Sequence, residues 1–367
     1  MVSRLKKEIE LVYGMPIRNG NQCHNLSTNI FEQTGEYISF QTLRRFFGFI
    51  DKAKKPTFKT LDILSKYCGF RDYDDFVRNS GKTNQHNLME LVYSIPQRKE
   101  LDLNFHYVCR NLAHFLYLNL DKLNENLSSL VSSHVSHEYL FERFPFIDHI
   151  NNQIYRRALQ SYAKSKGTID ATIFTETLFY LANYLNTGSS ARIPSCLEIK
   201  TLTGLHPFLQ ARVIGTFLLC YKKDTTELVL LAFKQAKKQN RSLSEEFRFP
   251  FFNYMMADYF IICKMYKEAI TMIDLGRSDN SNPTGWLETG YYETLDLLYC
   301  IALEGSGDHV KALDLFVKIN RTHFHFIFHK YFSIQYLNLK ERLMSQIDNS
   351  DKAELENLYR ETKFHFL

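Results

Sequence analysis

Apolar residues recur at intervals of three and four along most of this chain, and this spacing is the strongest constraint on its fold. Such spacing places apolar side chains on one face of an α-helix. No stretch shows the two-residue alternation of a half-buried strand over a full strand length. The chain has only 15 glycines and 8 prolines in 367 residues, about 4% and 2% against a usual 7% and 5%. Because both residues interrupt helices, the sequence predicts an all-α protein.

The predicted helices occupy most of the chain after a polar segment at residues 79–84. They are Leu88–Ile95, Phe105–Leu120, Leu123–Val131, Asn152–Lys164, Ala171–Asn186, Pro207–Tyr221, Thr225–Gln239, Phe251–Met265, Tyr266–Asp274, Tyr291–Leu303, Asp308–Lys318 and Phe324–Gln346, with a short polar helix before Leu367. The segment 79–84 is typical of a linker, so we expect two domains, residues 1–82 and 83–367. Helices between residues 87 and 165 fit either the larger domain or a separate dimerisation unit.

The positive charge of the chain is concentrated at its N-terminal end. The whole chain has 45 Lys and Arg against 40 Asp and Glu, a net charge of +5. Residues 1–82 contain 14 and 9 of these, which leaves 31 and 31 for residues 83–367. A local basic surplus on a small domain is typical of a polyanion partner. The same surplus also fits many ordinary surfaces.

The cysteines and the N-terminus bear on the cellular compartment. Seven cysteines, an odd number, lie far apart and form no Cys-x-x-Cys pair: Cys23, Cys68, Cys109, Cys196, Cys220, Cys263 and Cys300. This usage is typical of reduced, buried thiols. Residues 1–8 contain charges with no apolar run behind them, and nowhere do 18 consecutive apolar residues occur. We therefore expect a cytoplasmic protein that is neither exported nor membrane-spanning.

Two segments in the last third of the chain resemble tetratricopeptide repeats, in which small residues let two antiparallel helices pack closely. The positions of one repeat are occupied in order by Ala257, Phe260, Tyr266, Ala269 and Ile273, and those of the next by Cys300, Leu303, Gly307, Ala312 and Phe316. Ala269 and Ala312 are 43 residues apart, against the family's 34. Weaker helix pairs at residues 172–186 and 211–239 extend the array upstream. An irregular helical bundle is the alternative architecture.

Residues 26–70 predict a helix, a tight turn, a second helix, a basic loop and a further helix. Gly35 supplies the left-handed conformation that a helix end needs, and Ser39 can cap the helix that follows. The segment Lys54-Lys55-Pro56-Thr57 precedes a helix that ends at Gly69. In this order, residues 39–70 resemble the second half of a phage-repressor-like (Xre-type) helix-turn-helix domain. The resemblance covers about 50 residues of the chain.

This resemblance implies binding to double-stranded DNA, with the second helix of the motif in the major groove. The positions it implies for base reading are Gln41 and Arg44. The positions it implies for phosphate contacts, which do not read sequence, are Ser39, Thr42, Arg45, Lys54, Lys55, Thr57 and Lys59.

Two features depart from the helix-turn-helix pattern. Phe31 lies four residues before the turn glycine, where the family has a small residue at the helix contact. The turn from Gly35 to Ile38 is also about two residues longer than in the family. A small helical packing domain, in which Arg44 and Arg45 are merely solvated, is the alternative.

The sequence contains no recognisable catalytic signature. His325 and His329 are one helical turn apart, but no glutamate completes a His-Glu-x-x-His site and no third ligand is evident. A phosphate-binding loop, a dinucleotide fingerprint and a nucleophile elbow are also missing. We therefore expect no enzymatic activity, no cofactor and no metal.

Together, the two halves resemble peptide-responsive transcription regulators, which join such a helix-turn-helix domain to tetratricopeptide repeats. The resemblance implies a homodimer whose concave face binds a peptide or protein effector and thereby shifts the spacing of its DNA half-sites. The implied groove residues are Tyr254, Asp258, Ile261, Thr294, Leu297 and Glu304. The alternative is a protein-interaction scaffold whose N-terminal domain does not bind DNA.

Overall fold

The fold is known from a computed structural model, and it is helical throughout the residues that it describes. These are residues 2–13, 17, 19–50, 56–79, 103–189, 192–197, 202, 204–221, 225–239, 249–278, 286–344 and 348–367. The predicted all-α class is therefore confirmed. The chain forms two compact units, Met1–Phe144 and Pro145–Leu367. The predicted domain boundary at residue 82 and the predicted helix Leu88–Ile95 lie outside the described residues.

The first unit begins with five short helices around one apolar core. They are α1 (Val2–Tyr13), α2 (Gly20–Thr34), α3 (Phe40–Phe47), α4 (Phe58–Tyr67) and α5 (Tyr73–Asn79). The sequence analysis did not predict α1, although Leu5 and Ile9 lie one turn apart on it and are fully buried in this core. Helix α1 packs on α4, and α2 packs on both α3 and α4. The predicted helix-turn-helix segment is therefore held in place by a preceding helix.

The first unit continues beyond the predicted linker. It contains α6 (Leu103–Leu118), α7 (Leu120–Glu125), α8 (Leu127–Ser132) and α9 (His134–Ser136), which runs into a π-helical turn at His137–Glu142. The predicted helix Leu123–Val131 is wrong in one respect, because the helix is interrupted at Asn126. The side-chain amide of Asn126 donates to the Lys122 carbonyl at 2.8 Å. Helix α6 packs on α1, where Asn111 Nδ2 donates to the Val12 carbonyl at 2.6 Å.

The second unit consists of ten helices in the described residues. They are α10 (Gln153–Lys166), α11 (Ile169–Thr187), α12 (Pro207–Cys220), α13 (Thr226–Gln239), α14 (Phe251–Ile262), α15 (Tyr266–Ser278), α16 (Trp286–Gly305), α17 (His309–Phe316), α18 (His329–Met344) and α19 (Asn349–Thr362). The predicted helix from Phe324 is wrong at its start, since 3₁₀ turns occupy Arg321–His323 and Phe326–Phe328. Side chains of Asn320 and His325 accept backbone N–H groups there, which competes with a regular helix.

These helices pack mainly on their neighbours along the chain. Each of α10 to α18 contacts the next helix in sequence. In addition, α12, α14, α16 and α18 contact one another in that order, and α13 contacts α15. Alternate helices therefore form an inner row from α12 to α18.

The two ends of the second unit meet. The Asp148 carboxylate accepts the backbone N–H groups of Lys330 and Tyr331 at 2.8 Å each, at the start of α18. Asn151 Nδ2 donates to the Thr362 carbonyl at 2.9 Å, and the Phe366 N–H donates to the Leu185 carbonyl at 3.0 Å. The row of helices is thus closed by contacts between residues far apart in sequence.

Gly215 of α12 lies against Tyr259 of α14, and a substitution at this glycine tests the packing of the two helices. A Cβ atom on Gly215 would overlap the ring of Tyr259. We therefore expect Gly215→Ala to lower the free energy of unfolding by about 2 kcal/mol, although alanine normally favours a helix interior over glycine. Thermal and denaturant unfolding measure this change. An increase in stability would contradict the packing of α12 on α14.

Candidate functional site

The turn between α2 and α3 is built by local caps. Gly35 ends α2 with φ +69°, and its N–H donates to the Phe31 carbonyl at 2.9 Å. Ser39 begins α3, and its Oγ accepts the Thr42 N–H at 3.2 Å. The left-handed helix end at Gly35 and the N-cap at Ser39 are therefore confirmed. These caps give α3 a defined start.

The contact between α2 and α3 uses a small residue one turn earlier than the family register placed it. Phe31 is 52% exposed and so does not fill the helix contact. Ser27 is buried instead, and its hydroxyl donates to the Ile38 carbonyl at 2.5 Å. The His24 and Phe40 rings pack edge to face at 5.7 Å. A small side chain at position 27 thus lets α3 approach α2 closely.

Helix α3 has a buried side and an outward side. Leu43 and Phe46 belong to the apolar core of the first unit. Gln41 is half-buried and Arg45 is exposed. Because these two residues are four positions apart, they lie on the same side of the helix. The structure therefore brings Gln41 and Arg45 together on the outward side of α3.

Arg44 lies apart from that pair and turns toward the start of α2. Its Nε is 3.0 Å from the position that a Cβ atom on Gly20 would take. That nitrogen is buried, and it has no hydrogen-bond partner within the described residues. The positive charge of Arg44 lowers the pKa of the nearby Cys23 thiol, although burial, the larger effect, raises that pKa. A half-buried guanidinium is thus placed beside a helix N-terminus.

The N-terminus of α2 is itself well organised. The Asn19 Oδ1 accepts the N–H groups of Asn21 and Gln22 at 3.1 and 3.0 Å, and the Gln22 Oε1 accepts the Asn19 N–H at 3.2 Å. This reciprocal capping fixes the start of the helix. The partial positive charge of a helix N-terminus and the Arg44 charge therefore act at one place.

The remaining predicted phosphate contacts lie at two helix starts. Ser39 and Thr42 are half-buried, and their hydroxyls are 2.9 Å apart. Thr57 caps α4 and is exposed, as is Lys59. The hydroxyls of Thr57 and Thr60 are also 2.9 Å apart. Lys54 and Lys55 lie outside the described residues.

The acidic residue of the turn is paired. Glu36 accepts from Lys66 of α4 at 2.6 Å, and this hydrogen bond raises the pKa of Lys66. Tyr67 of α4 donates to Asn29 of α2 at 2.5 Å. Helix α3 and its cap contain no acidic residue. The side of α3 that faces outward therefore has a positive charge with no acid of its own helix to oppose it.

The predicted groove residues lie mostly in the interior of the second unit. Five of them, on α14 and α16, are buried: Tyr254, Asp258, Ile261, Thr294 and Leu297. The sixth, Glu304, accepts from Arg342 of α18 at 2.9 Å. The hydroxyls of Tyr254 and Thr294 are 3.2 Å apart. These residues lie on helices of the inner row, and five of the six are shielded from solvent there.

One of them, Asp258, belongs to a buried polar group that we name the central cluster: Tyr155, Arg212, Asp258, Tyr259, Tyr331 and Gln335. Tyr331 donates its hydroxyl to the Asp258 carboxylate at 2.8 Å, and the Gln335 amide donates at 3.3 Å. Burial raises the pKa of Asp258 to about 6, although these hydrogen bonds and the Arg212 charge oppose the shift. The six residues of the central cluster lie on α10, α12, α14 and α18.

The sequence analysis missed Arg212, the only positive charge of the central cluster. Its side chain is 1% exposed, and burial lowers its pKa. The guanidinium lies over the rings of Phe208 at 4.7 Å and Phe174 at 5.7 Å. A signal was present, because Arg212 is the only charged residue of the largely apolar helix Pro207–Cys220.

Other predicted features are found in simple structural roles. His325 Nδ1 accepts the Ile327 N–H at 3.4 Å, and His329 Nδ1 lies 3.4 Å from the Ser333 hydroxyl. All seven cysteines are unpaired. Within the described ranges, His, Cys, Asp and Glu form no group of three or more that could hold a metal ion. No helix among those described has the length and apolar character needed to cross a bilayer.

Comparisons of this chain with protein families, with curated proteins and with solved structures find no match.

Proposed function

We propose that this chain is a sequence-specific, double-stranded DNA-binding transcription regulator whose second unit binds a peptide or protein effector and mediates dimer formation. The observation that carries the proposal is the outward side of α3, where Gln41 and Arg45 lie together on a helix that begins at a defined cap. A glutamine can pair with adenine and an arginine with guanine in the major groove. Arg45, which the family register placed at phosphate, therefore shares the proposed base-reading role with Gln41.

Phosphate binding is supported by the position of Arg44. Its guanidinium lies against Gly20 at the start of α2, and its Nε has no hydrogen-bond partner in the described part of the chain. Asn19 already accepts the Asn21 and Gln22 N–H groups there, and the helix dipole adds a partial positive charge that favours an anion. Thr57 and Lys59 at the start of α4 add an exposed hydroxyl and an exposed ammonium group. We infer that these groups bind the DNA backbone on either side of α3.

The effector part of the proposal is supported by the packing of the second unit. Contacts between alternate helices, from α12 to α18, are those expected when helix pairs stack as repeats. Ala269 and Ala312, the small residues of the two tetratricopeptide-like segments, are both fully buried. Such stacks provide extended surfaces for peptides and proteins.

The proposal is tested by retaining random DNA duplexes on the full-length protein and sequencing the bound fraction. We expect an enriched palindrome, because a symmetric dimer binds two half-sites about one helical turn apart. We also expect the dissociation constant to rise by about 100-fold between roughly 50 and 200 mM salt if four phosphates are contacted. The full chain is used because α6 supports α1 through the Asn111 bond to Val12.

Other outcomes of this experiment would change the proposal. Salt-sensitive binding without enrichment would indicate a nucleic-acid protein without sequence preference. Absence of binding at both salt concentrations would contradict the proposal and favour the interaction scaffold.

A further inference from the structure

The central cluster of the second unit contains one buried positive charge, that of Arg212. Arg212 is 1% exposed, and its Nε and Nη1 have no hydrogen-bond partner in the part of the chain that the structure describes. No carboxylate among the described residues forms an ion pair with it. An arginine remains protonated under all ordinary conditions, and a buried charge without a partner is costly.

One further polar group of the cluster is also unsatisfied. The Gln335 Oε1 is buried and has no hydrogen-bond partner within the described residues, whereas the Tyr259 hydroxyl lies within hydrogen-bonding reach of Thr216. Gln335 is joined to Asp258 through its amide, and the Asp258 charge raises the pKa of Arg212 against the larger opposite effect of burial. Buried polar groups are nearly always satisfied. The two unsatisfied nitrogens of Arg212 and the unsatisfied oxygen of Gln335 therefore point to a missing partner.

We propose that the central cluster is a binding site for a monocarboxylate with an apolar body, with Arg212 binding its carboxylate. The cluster already contains the Asp258 carboxylate, so every further negative charge on a ligand adds repulsion, and one carboxylate, with a single charge, can accept from the free Nε and Nη1 of Arg212. The rings of Phe208 and Phe174 beside the guanidinium favour an apolar body over a polar one. The planar guanidinium matches the geometry of a carboxylate.

This inference specifies the ligand of the effector-binding unit and in that respect rests on the proposed function. The carboxylate could belong to a free organic acid or to the C-terminus of a peptide. Both present the same group to Arg212. Because the site is enclosed, a ligand reaches it only through a local opening of the unit, and binding is therefore measured after equilibration.

The test uses the full-length protein and four probes. They are hexanoate, its neutral analogue hexanamide, the capped dipeptide N-acetyl-Leu-Phe with a free C-terminus, and the same dipeptide as its C-terminal amide. Calorimetric titration gives each dissociation constant, and thermal unfolding gives the stabilisation by each probe. We expect the acids to bind at least about tenfold more tightly than the matching amides, since only the acids pair with Arg212. Stronger binding of the dipeptide acid would identify a peptide C-terminus, and stronger binding of hexanoate would identify a free acid.

The variant Arg212→Met separates ligand binding from a structural role. It keeps an unbranched side chain and removes the unpaired charge, so we expect a higher melting temperature than for the wild type. We also expect the dissociation constant for the acid that binds to rise at least about tenfold. A structural guanidinium would instead make the variant less stable. If the methionine variant does not fold, Arg212→Lys is measured instead. Lysine retains a positive charge but not the planar fork, so the same rise in dissociation constant is expected.

The matched control is Arg156→Met on α10. Arg156 also lies over a ring, that of Phe179 at 4.1 Å, and donates to the Ile150 carbonyl at 3.3 Å. We expect its affinity for the acids to stay within about twofold of the wild type, since an intact site keeps its free energy of binding. The inference is overturned if neither acid binds, if acids and amides bind equally, or if both Arg212 variants bind as the wild type does. DNA retention by the same preparations shows separately whether the proposed function holds.

Discussion

The affinity of the full-length protein for its enriched duplex is expected to fall by about 100-fold when Arg44 and Arg45 are both replaced by alanine. Arg45 is exposed on the outward side of α3, where a guanidinium can reach a base edge. Arg44 lies at the start of α2, where it can bind a phosphate together with the helix N-terminus. The variant therefore loses one proposed base contact and one proposed phosphate contact. Electrophoretic mobility shifts at several salt concentrations measure the change, and we expect the salt dependence to weaken by about one phosphate contact.

Single variants separate the proposed base contact of Arg45 from the proposed phosphate contact of Arg44. Arg45→Lys retains a positive charge but loses the planar fork that pairs with guanine. We therefore expect it to bind DNA with relaxed sequence preference at one base position, whereas Arg44→Ala weakens binding to all sequences alike.

The control for these variants is Arg71→Ala. Arg71 is an exposed arginine of the same unit, ion-paired with Asp72 at 3.0 Å and outside the turn between α2 and α3. We expect it to change affinity by no more than about twofold, as for a surface charge outside the contact. Unchanged affinity of the Arg44 and Arg45 double variant, with its melting temperature preserved, would contradict the assignment of α3 to DNA.

The second large effect is expected at Asp148, which joins the two ends of the second unit. Its carboxylate is 3% exposed and accepts two backbone N–H groups at the start of α18, both at 2.8 Å. Asp148→Ala leaves both N–H groups without their acceptor. We therefore expect the free energy of unfolding to fall by about 3 kcal/mol, or the melting temperature of the unit to fall by about 10 °C. Calorimetry and denaturant unfolding measure these quantities.

Asp348→Ala is the matched control for that variant. Asp348 is also an aspartate at a helix start, where it accepts the Asp351 N–H at 2.8 Å, but it is exposed. Loss of an exposed cap of this kind costs about 1 kcal/mol. A loss at Asp148 no larger than the loss at Asp348 would contradict the contact between the two ends.

Much of the helical structure could be predicted because its causes are local. The predicted helix Pro207–Tyr221 is observed as Pro207–Cys220, and the predicted helix Thr225–Gln239 as Thr226–Gln239. The caps at Gly35 and Ser39 bond to groups no more than four residues away. Helix α1 was missed because its apolar stripe is narrow among charged residues, and its stability comes from packing on α4 and α6.

The candidate sites could be predicted only in part. The resemblance to the helix-turn-helix family implied Gln41, Arg44 and Arg45, but the direction of the Arg44 side chain depends on the approach of α2 to α3. In the second unit, the tetratricopeptide-like pattern selected Asp258 as a groove residue. Its burial follows from the contact with Tyr331 of α18, a residue 73 positions away.

The helical class, the positions of most helices and the caps of the turn before α3 follow from local sequence alone. These features depend on apolar spacing and hydrogen bonds within about one helical turn, which are already present in the local order of residues. Long-range packing instead sets the closure of the second unit, where the Asp148 carboxylate accepts the N–H of Tyr331, 183 residues away. It also sets the burial of Arg212, since the surroundings of one arginine in an apolar helix depend on which other helices cover it.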